Sequence, residues 1–174
     1  MPAPNIVDIP AAWHGKDMVK DTSSWVYSLT PTDIAELEVA AKSFNDSGKP
    51  LGLISSELFP LMKFGGFLRQ VQTDLHKGSG FKLIRGLPVS LYSAEMYATI
   101  FCGIGSHIGS ARSQNAAGHL LGHVRDIGAD VNSPTTRIYQ TTARQSFHTD
   151  SCDVVGLLCL KEAKVGGDSM LASS

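Results

Sequence analysis

Phe147-His148-Thr149-Asp150-Ser151-Cys152-Asp153 runs into Val154-Val155-Gly156-Leu157-Leu158-Cys159-Leu160, then into a charged turn, Lys161-Glu162-Ala163-Lys164, and then Gly166-Gly167-Asp168-Ser169. A short apolar run between polar breaks reads as a buried strand, and the paired glycines permit a tight turn with positive φ before the next strand. Leu120 to Arg125, Arg137 to Thr142 and Asp168 to Ser173 are further strand-like runs, separated by Gly, Asn, Pro and Ser. Before Gly109 the pattern is helical. Thr30-Pro31-Thr32-Asp33 sets a hydroxyl at the N-cap, proline at the first helical position and a carboxylate at the third, and Ile34, Leu37, Ala41 and Phe44 follow at helical spacing until Gly48-Lys49-Pro50. A second helix is predicted from Phe67 to His76 with Gly78 beyond its end, and a third from about Ser93. Gly80 to Gly86 is the one strand expected in this half. Helices first and strands afterwards predict an α+β domain, with helices packed on a β-sandwich or barrel instead of alternating βαβ units. Residues 1–24, with Pro2, Pro4 and Pro10, show no period and are expected to form an extended arm ahead of a domain over 25–174.

His148 and Asp150 are the sharpest chemical signal. In an extended segment, residues two apart share a face, with bases roughly 7 Å apart, so an imidazole and a carboxylate can reach one metal ion. A neutral nitrogen and an anionic oxygen are two members of the two-His-one-carboxylate set that suits non-haem Fe(II). The alternative is a surface turn holding a hydrogen-bonded pair. His119 and His123 are four apart, but glycines at 118 and 122 disfavour the helix that would aim both at zinc, and satisfied histidines are the plainer reading. His107, after Gly103-Ile104-Gly105, falls near a helix end and suits a capping role. Cys152 and Cys159, seven apart and so on opposite faces of a strand, read as small buried hydrophobes. Gln114 and Asn115 in a Gly- and Ser-rich loop could meet a substrate or satisfy local backbone, and Arg112 and Arg125 are placed for an anionic substrate or for plain solvation.

Composition limits the function. With 15 Lys+Arg against 16 Asp+Glu the net charge is -1, which lacks the basic excess that phosphate-backbone binding needs, so nucleic acid is not the expected partner. Three cysteines without a CxxC pair indicate reduced thiols and a cytoplasmic setting. No signal-like start or membrane-length apolar run is seen, so no membrane role is expected. At 174 residues the chain is long enough to bury a core without staples.

The run from Phe147 to Ser174, together with Arg137-Ile138-Tyr139-Gln140-Thr141-Thr142, resembles the taurine dioxygenase (TauD/TfdA-like) family of Fe(II)/2-oxoglutarate-dependent dioxygenases. The resemblance implies a double-stranded β-helix (jelly-roll, clavaminate synthase-like) with N-terminal helices packed on it. It implies His148 and Asp150 as the first two iron ligands, and Ser169 as the hydroxyl that hydrogen-bonds the distal carboxylate of 2-oxoglutarate. Fe(II), 2-oxoglutarate as cosubstrate, O2 and a small organic substrate are the implied partners, with 2-oxoglutarate leaving as succinate. Gln145, Thr149 and Tyr139 are candidates to orient the ligating imidazole. The family's distal His and its 2-oxoglutarate-binding Arg lie far downstream of the Gly-Gly-Asp-Ser turn, so the chain is expected to be the N-terminal portion of a longer enzyme and inactive alone. The alternatives are a non-catalytic pseudoenzyme or binding module retaining half of the fold, and a homodimer completing sheet and metal shell in trans.

Overall fold

A computed structural model describes residues 8–115 and 117–173. Two units can be distinguished, one comprising residues 1–111 with 156–174 and the other 112–155.

The first unit carries the regular structure: α1 (Gly15–Lys20), β1 (Val26–Ser28), α2 (Pro31–Asp46), α3 (Phe64–Lys77), β2 (Leu83–Arg85) and α4 (Ala94–Ser106). The capping signal in the sequence sets the start of α2. The Thr30 side chain accepts from Asp33 N at 3.2 Å, while Asp33 Oδ2 accepts from Thr30 N at 2.8 Å and from the Thr30 hydroxyl at 2.7 Å. The Tyr27 hydroxyl donates to the same oxygen at 2.9 Å. Burial alone would raise the Asp33 carboxyl, but these donors outweigh it and hold the group below its usual range. Gly48 then ends the turn in the left-handed region, φ 67°.

The α3 helix starts earlier than its periodicity suggests, at Phe64, because its cap comes from another element. Glu36 on α2 accepts from Lys63 N at 2.9 Å and from Phe64 N at 3.0 Å, satisfying donors that a local side chain usually meets. The core is built from Leu37, Ala40, Ala41 and Phe44 of α2, Phe64, Leu68 and Val71 of α3, Ile100 of α4, and Phe59 and Leu61 of the connecting loop. Helix α4 approaches the loop at Gly103, where a Cβ would lie 2.6 Å from the Phe59 ring. Buried Thr99 donates to Asn45 Oδ1 at 2.7 Å, tying α4 to the end of α2.

Several sequence expectations need correction. The segment expected to be an extended arm holds helix α1 and a 3-10 turn, Thr22–Ser24. It is anchored by tryptophans: Trp13 Nε1 donates to Ser79 O at 2.9 Å, Trp25 Nε1 donates to Met18 O at 2.8 Å, and Phe81 lies between their rings at 5.2 and 5.4 Å. Residues 1–7 lie outside the described residues. The expected strand near Gly80 to Gly86 is present as β2, but its partner β1 is parallel, in the register Val26↔Leu83. Helices α2 and α3 lie between the two strands in sequence, so one crossover of the βαβ kind does occur.

The runs at 120–125, 137–142, 153–160 and 168–173 form no strand; the only regular piece within them is a 3-10 turn, Ile138–Gln140. A strand exists only through a ladder of inter-strand bonds, and these runs meet no such ladder among the described residues. Many of their apolar side chains are accordingly exposed, Leu157 at 76% and Leu171 at 64%. Cys152 and Cys159, expected to be buried, are exposed for the same reason, whereas Cys102 on α4 is half-buried and burial pushes its thiol up. Gly166 and Gly167 do adopt the positive φ expected of them, 70° and 77°.

Candidate metal site

His148 and Asp150 lie in the 112–155 unit and both are exposed; Ser169 belongs to the other unit and is exposed as well. The geometry around the His148 ring is specific. Its Nδ1 lies 2.8 Å from Ser146 O, and a carbonyl can only accept, so Nδ1 carries the proton. Nε2 is therefore the ring's lone-pair nitrogen, and the Gln145 amide nitrogen donates to it at 3.1 Å. Locking one ring nitrogen on a backbone carbonyl so that the other can bind a metal is the arrangement in which histidine ligands are usually held. Among Gln145, Thr149 and Tyr139, the structure selects Gln145 as the ring's side-chain neighbour. The main partner, the Ser146 carbonyl, was missed because a backbone acceptor leaves no trace in residue identity.

The donor chemistry fits a divalent iron ion as far as it goes: one neutral imidazole nitrogen and one exposed carboxylate two residues on. Among the described residues, no group of three or more His, Cys, Asp or Glu side chains assembles around a common point. His119 and His123 form no helical pair, since no helix occurs there. His119 Nδ1 instead accepts from the Asn115 amide at 2.9 Å. Asn115 Oδ1 in turn accepts from Ala117 N at 3.1 Å and His119 N at 3.2 Å, and Gln114 donates to Arg112 O at 3.0 Å, so both amides serve their own loop. His107 occupies the C-cap of α4, as its position suggests, but its Nε2 donates to Phe59 O at 2.8 Å and not to the helix itself.

Residues 47–174 match the family model described as taurine catabolism dioxygenase TauD, TfdA family. The chain belongs to the TauD/TfdA family. Two curated relatives are similar over nearly its whole length. FR-33289 synthase of Streptomyces rubellomurinus is 33% identical over 157 residues, covering 90% of this chain and 46% of the synthase. Taurine hydroxylase-like protein SAT17 of Stachybotrys chartarum is 34% identical over 170 residues, covering 94% of this chain and 44% of that protein. The chain thus spans about half the length of the curated relatives it matches. Membership implies a double-stranded β-helix. The helices and the small parallel sheet are compatible with part of such a fold. No helix among the described residues is long and apolar enough to cross a membrane.

Proposed function

We propose that this chain is the N-terminal portion of an Fe(II)/2-oxoglutarate-dependent dioxygenase that oxidises a small organic molecule, with His148 and Asp150 as two iron ligands and Ser169 donating to the distal carboxylate of 2-oxoglutarate. The observation that carries the reading is the His148 ring, whose Nδ1–H is held by the Ser146 carbonyl so that Nε2 is the coordinating nitrogen, two residues from an exposed carboxylate. The chemistry such a centre supplies when filled is the splitting of O2 between 2-oxoglutarate, which leaves as succinate and CO2, and one C–H bond of the substrate.

This chain's share is positional. The Ser146 carbonyl fixes the imidazole tautomer and the ring plane. The Gln145 amide donates to Nε2 at 3.1 Å, so this side chain would have to leave the ring for His148 to hold a metal. Gly166 and Gly167 shape the turn that presents Ser169. The domain proposed to begin at residue 25 would place the distal His and the 2-oxoglutarate Arg in sequence beyond Ser174.

The test is succinate release by iron-loaded protein of the relatives' length, with candidate small molecules. His148→Ala and Asp150→Ala should each cut turnover by more than about 100-fold, beyond the 10–100-fold typical of outer partners of a metal ligand. Ser169→Ala should raise the KM for 2-oxoglutarate by roughly 10–100-fold, the loss of one hydrogen bond to a charged group. Absence of substrate-dependent succinate, together with iron affinity unchanged by His148→Ala, would leave the non-catalytic binding module as the better reading.

A further inference from the structure

The run that carries Ser169 touches the rest of its own unit near both ends. At its start Phe101 of α4 lies against Gly156, where a Cβ would come within 3.3 Å of the ring. At its end the Ser173 hydroxyl donates to Ala11 O at 2.6 Å, across 162 positions of sequence. Among the described residues this is the one hydrogen bond that links residues 156–173 to any other part of the unit. Ala11, Trp13, Ser79, Phe81, Leu171 and Ser173 line one shared depression of about 190 Å³.

The carbonyl that receives this bond is itself fixed. Ala12 N donates to Ile9 O at 2.9 Å, closing a turn, and Trp13 Nε1 donates to Ser79 O at 2.9 Å. The Trp13 ring lies 5.2 Å from Phe81, whose other aromatic neighbour is Trp25 at 5.4 Å. The loop underneath is tied to α3. Gly78 N and Gly80 N both donate to Asp74 O, at 2.9 and 3.2 Å, and Lys82 Nζ bridges Asp74 Oδ2 at 3.3 Å and Ser24 O at 2.9 Å. Residues 9–13 are thus clamped onto the loop between α3 and β2, whereas 168–173 form no strand and depend on what they touch. Holding a run without a ladder in one place costs conformational entropy, and a fixed acceptor at its end restricts where it can go.

We infer that residues 9–13 are a positioning strap for the run that carries Ser169, with the Ala11 carbonyl holding Ser173 and Trp13 seating the strap on the Ser79–Phe81 loop. Ser173 lies four residues beyond Ser169, so the strap restricts where the Ser169 hydroxyl can sit and thereby sets the affinity for 2-oxoglutarate. The affinity effect rests on the reading of Ser169 as the 2-oxoglutarate contact; the tether itself does not.

Nitrogen-15 relaxation on the 174-residue chain, without iron or 2-oxoglutarate, tests the tether. Ser173→Ala should lower the heteronuclear NOE from Met170 to Ser173. Trp13→Ala should lower it there and at residues 9–13 together, and Trp13→Phe, which keeps a ring against Phe81, should fall between. Ser23→Ala, which removes an exposed hydroxyl that donates to Asp21, should change neither. Retention of the α2 and α4 amide spectrum in each variant establishes that the fold is intact. Calorimetric titration of 2-oxoglutarate, without O2, into iron-loaded protein of the relatives' length tests the consequence. Ser173→Ala and Trp13→Ala should each weaken binding about 2–10-fold, the worth of one neutral hydrogen bond, and Ser173→Thr should restore it. A Trp13→Ala variant whose 170–173 relaxation matches the parent would overturn the strap, and a loosened 170–173 with unchanged 2-oxoglutarate affinity would overturn its positioning role. A parent that binds no 2-oxoglutarate would instead sink the Ser169 reading and the affinity effect with it, while relaxation alone still decides the tether.

Discussion

The helical region, Pro31 to Ser106, and the motif-bearing region, Arg112 to Val155, are built on opposite principles. The first has apolar stripes that close on one another, and Leu37, Phe59, Leu68 and Ile100 lose all contact with water. The second is poorer in apolar residues and leaves Val124, Ile127 and Phe147 exposed, and its order rests on short polar turns such as Asn115 with His119 and His148 with Ser146. A helix satisfies its own backbone and needs a partner only for one face, whereas a strand needs a partner for its backbone as well. The helical half therefore closes a core on its own stripes, while the strand-like runs meet no ladder among the described residues.

The comparison breaks first if the helical core is not where stability resides. Phe59→Ala should cost about 3–5 kcal/mol in denaturant unfolding, the usual range for removing a fully buried aromatic ring. A loss below about 1 kcal/mol would show that the loop carrying Phe59 is not part of the cooperative unit. Gly103→Ala should cost about 1–3 kcal/mol, since the added methyl meets the Phe59 ring at 2.6 Å and a packed core yields little.

Asp33→Asn sharpens the comparison through pH. The Asp33 carboxyl is held below its usual value, so its stabilisation is complete above the ordinary carboxylate pKa of about 3.9 and is lost as pH falls through the folded-state value. The variant should be less stable than the parent by about 1 kcal/mol at neutral pH, and the gap should narrow in acid. A gap independent of pH would assign the effect to shape instead of charge. The smallest effect belongs to the second region: His148→Ala should change unfolding stability by less than about 0.5 kcal/mol, as expected of an exposed side chain. Hydrogen exchange would show the same contrast, with slow amides in α2 and α4 and fast ones throughout 112–155.

Much of the helical half could be read from residues alone. Thr30-Pro31-Thr32-Asp33 marked a helix start that forms as a capping box, and Gly78 marked an end that falls where expected. The start of α3 was misplaced because Glu36, twenty-seven residues away from Lys63, supplies the cap. Strand β1 was not anticipated because three residues show no period and exist as a strand only through pairing with β2. In the second half the error ran the other way. Short strand-like runs between polar breaks signalled strands, but propensity without a ladder leaves the chain irregular.

The sequence by itself determined the family, since His148, Asp150 and the Gly-Gly-Asp-Ser turn carry it whatever the backbone does around them. It also determined the start of α2 and the C-terminal ends of α2 and α3, because caps and breakers act over three or four residues. Only the tertiary structure decided which nitrogen of His148 is left to coordinate, which backbone carbonyl holds Ser173, and which apolar runs become core. Those outcomes depend on backbone carbonyls and partners far away in sequence, whose positions no local pattern of side chains encodes.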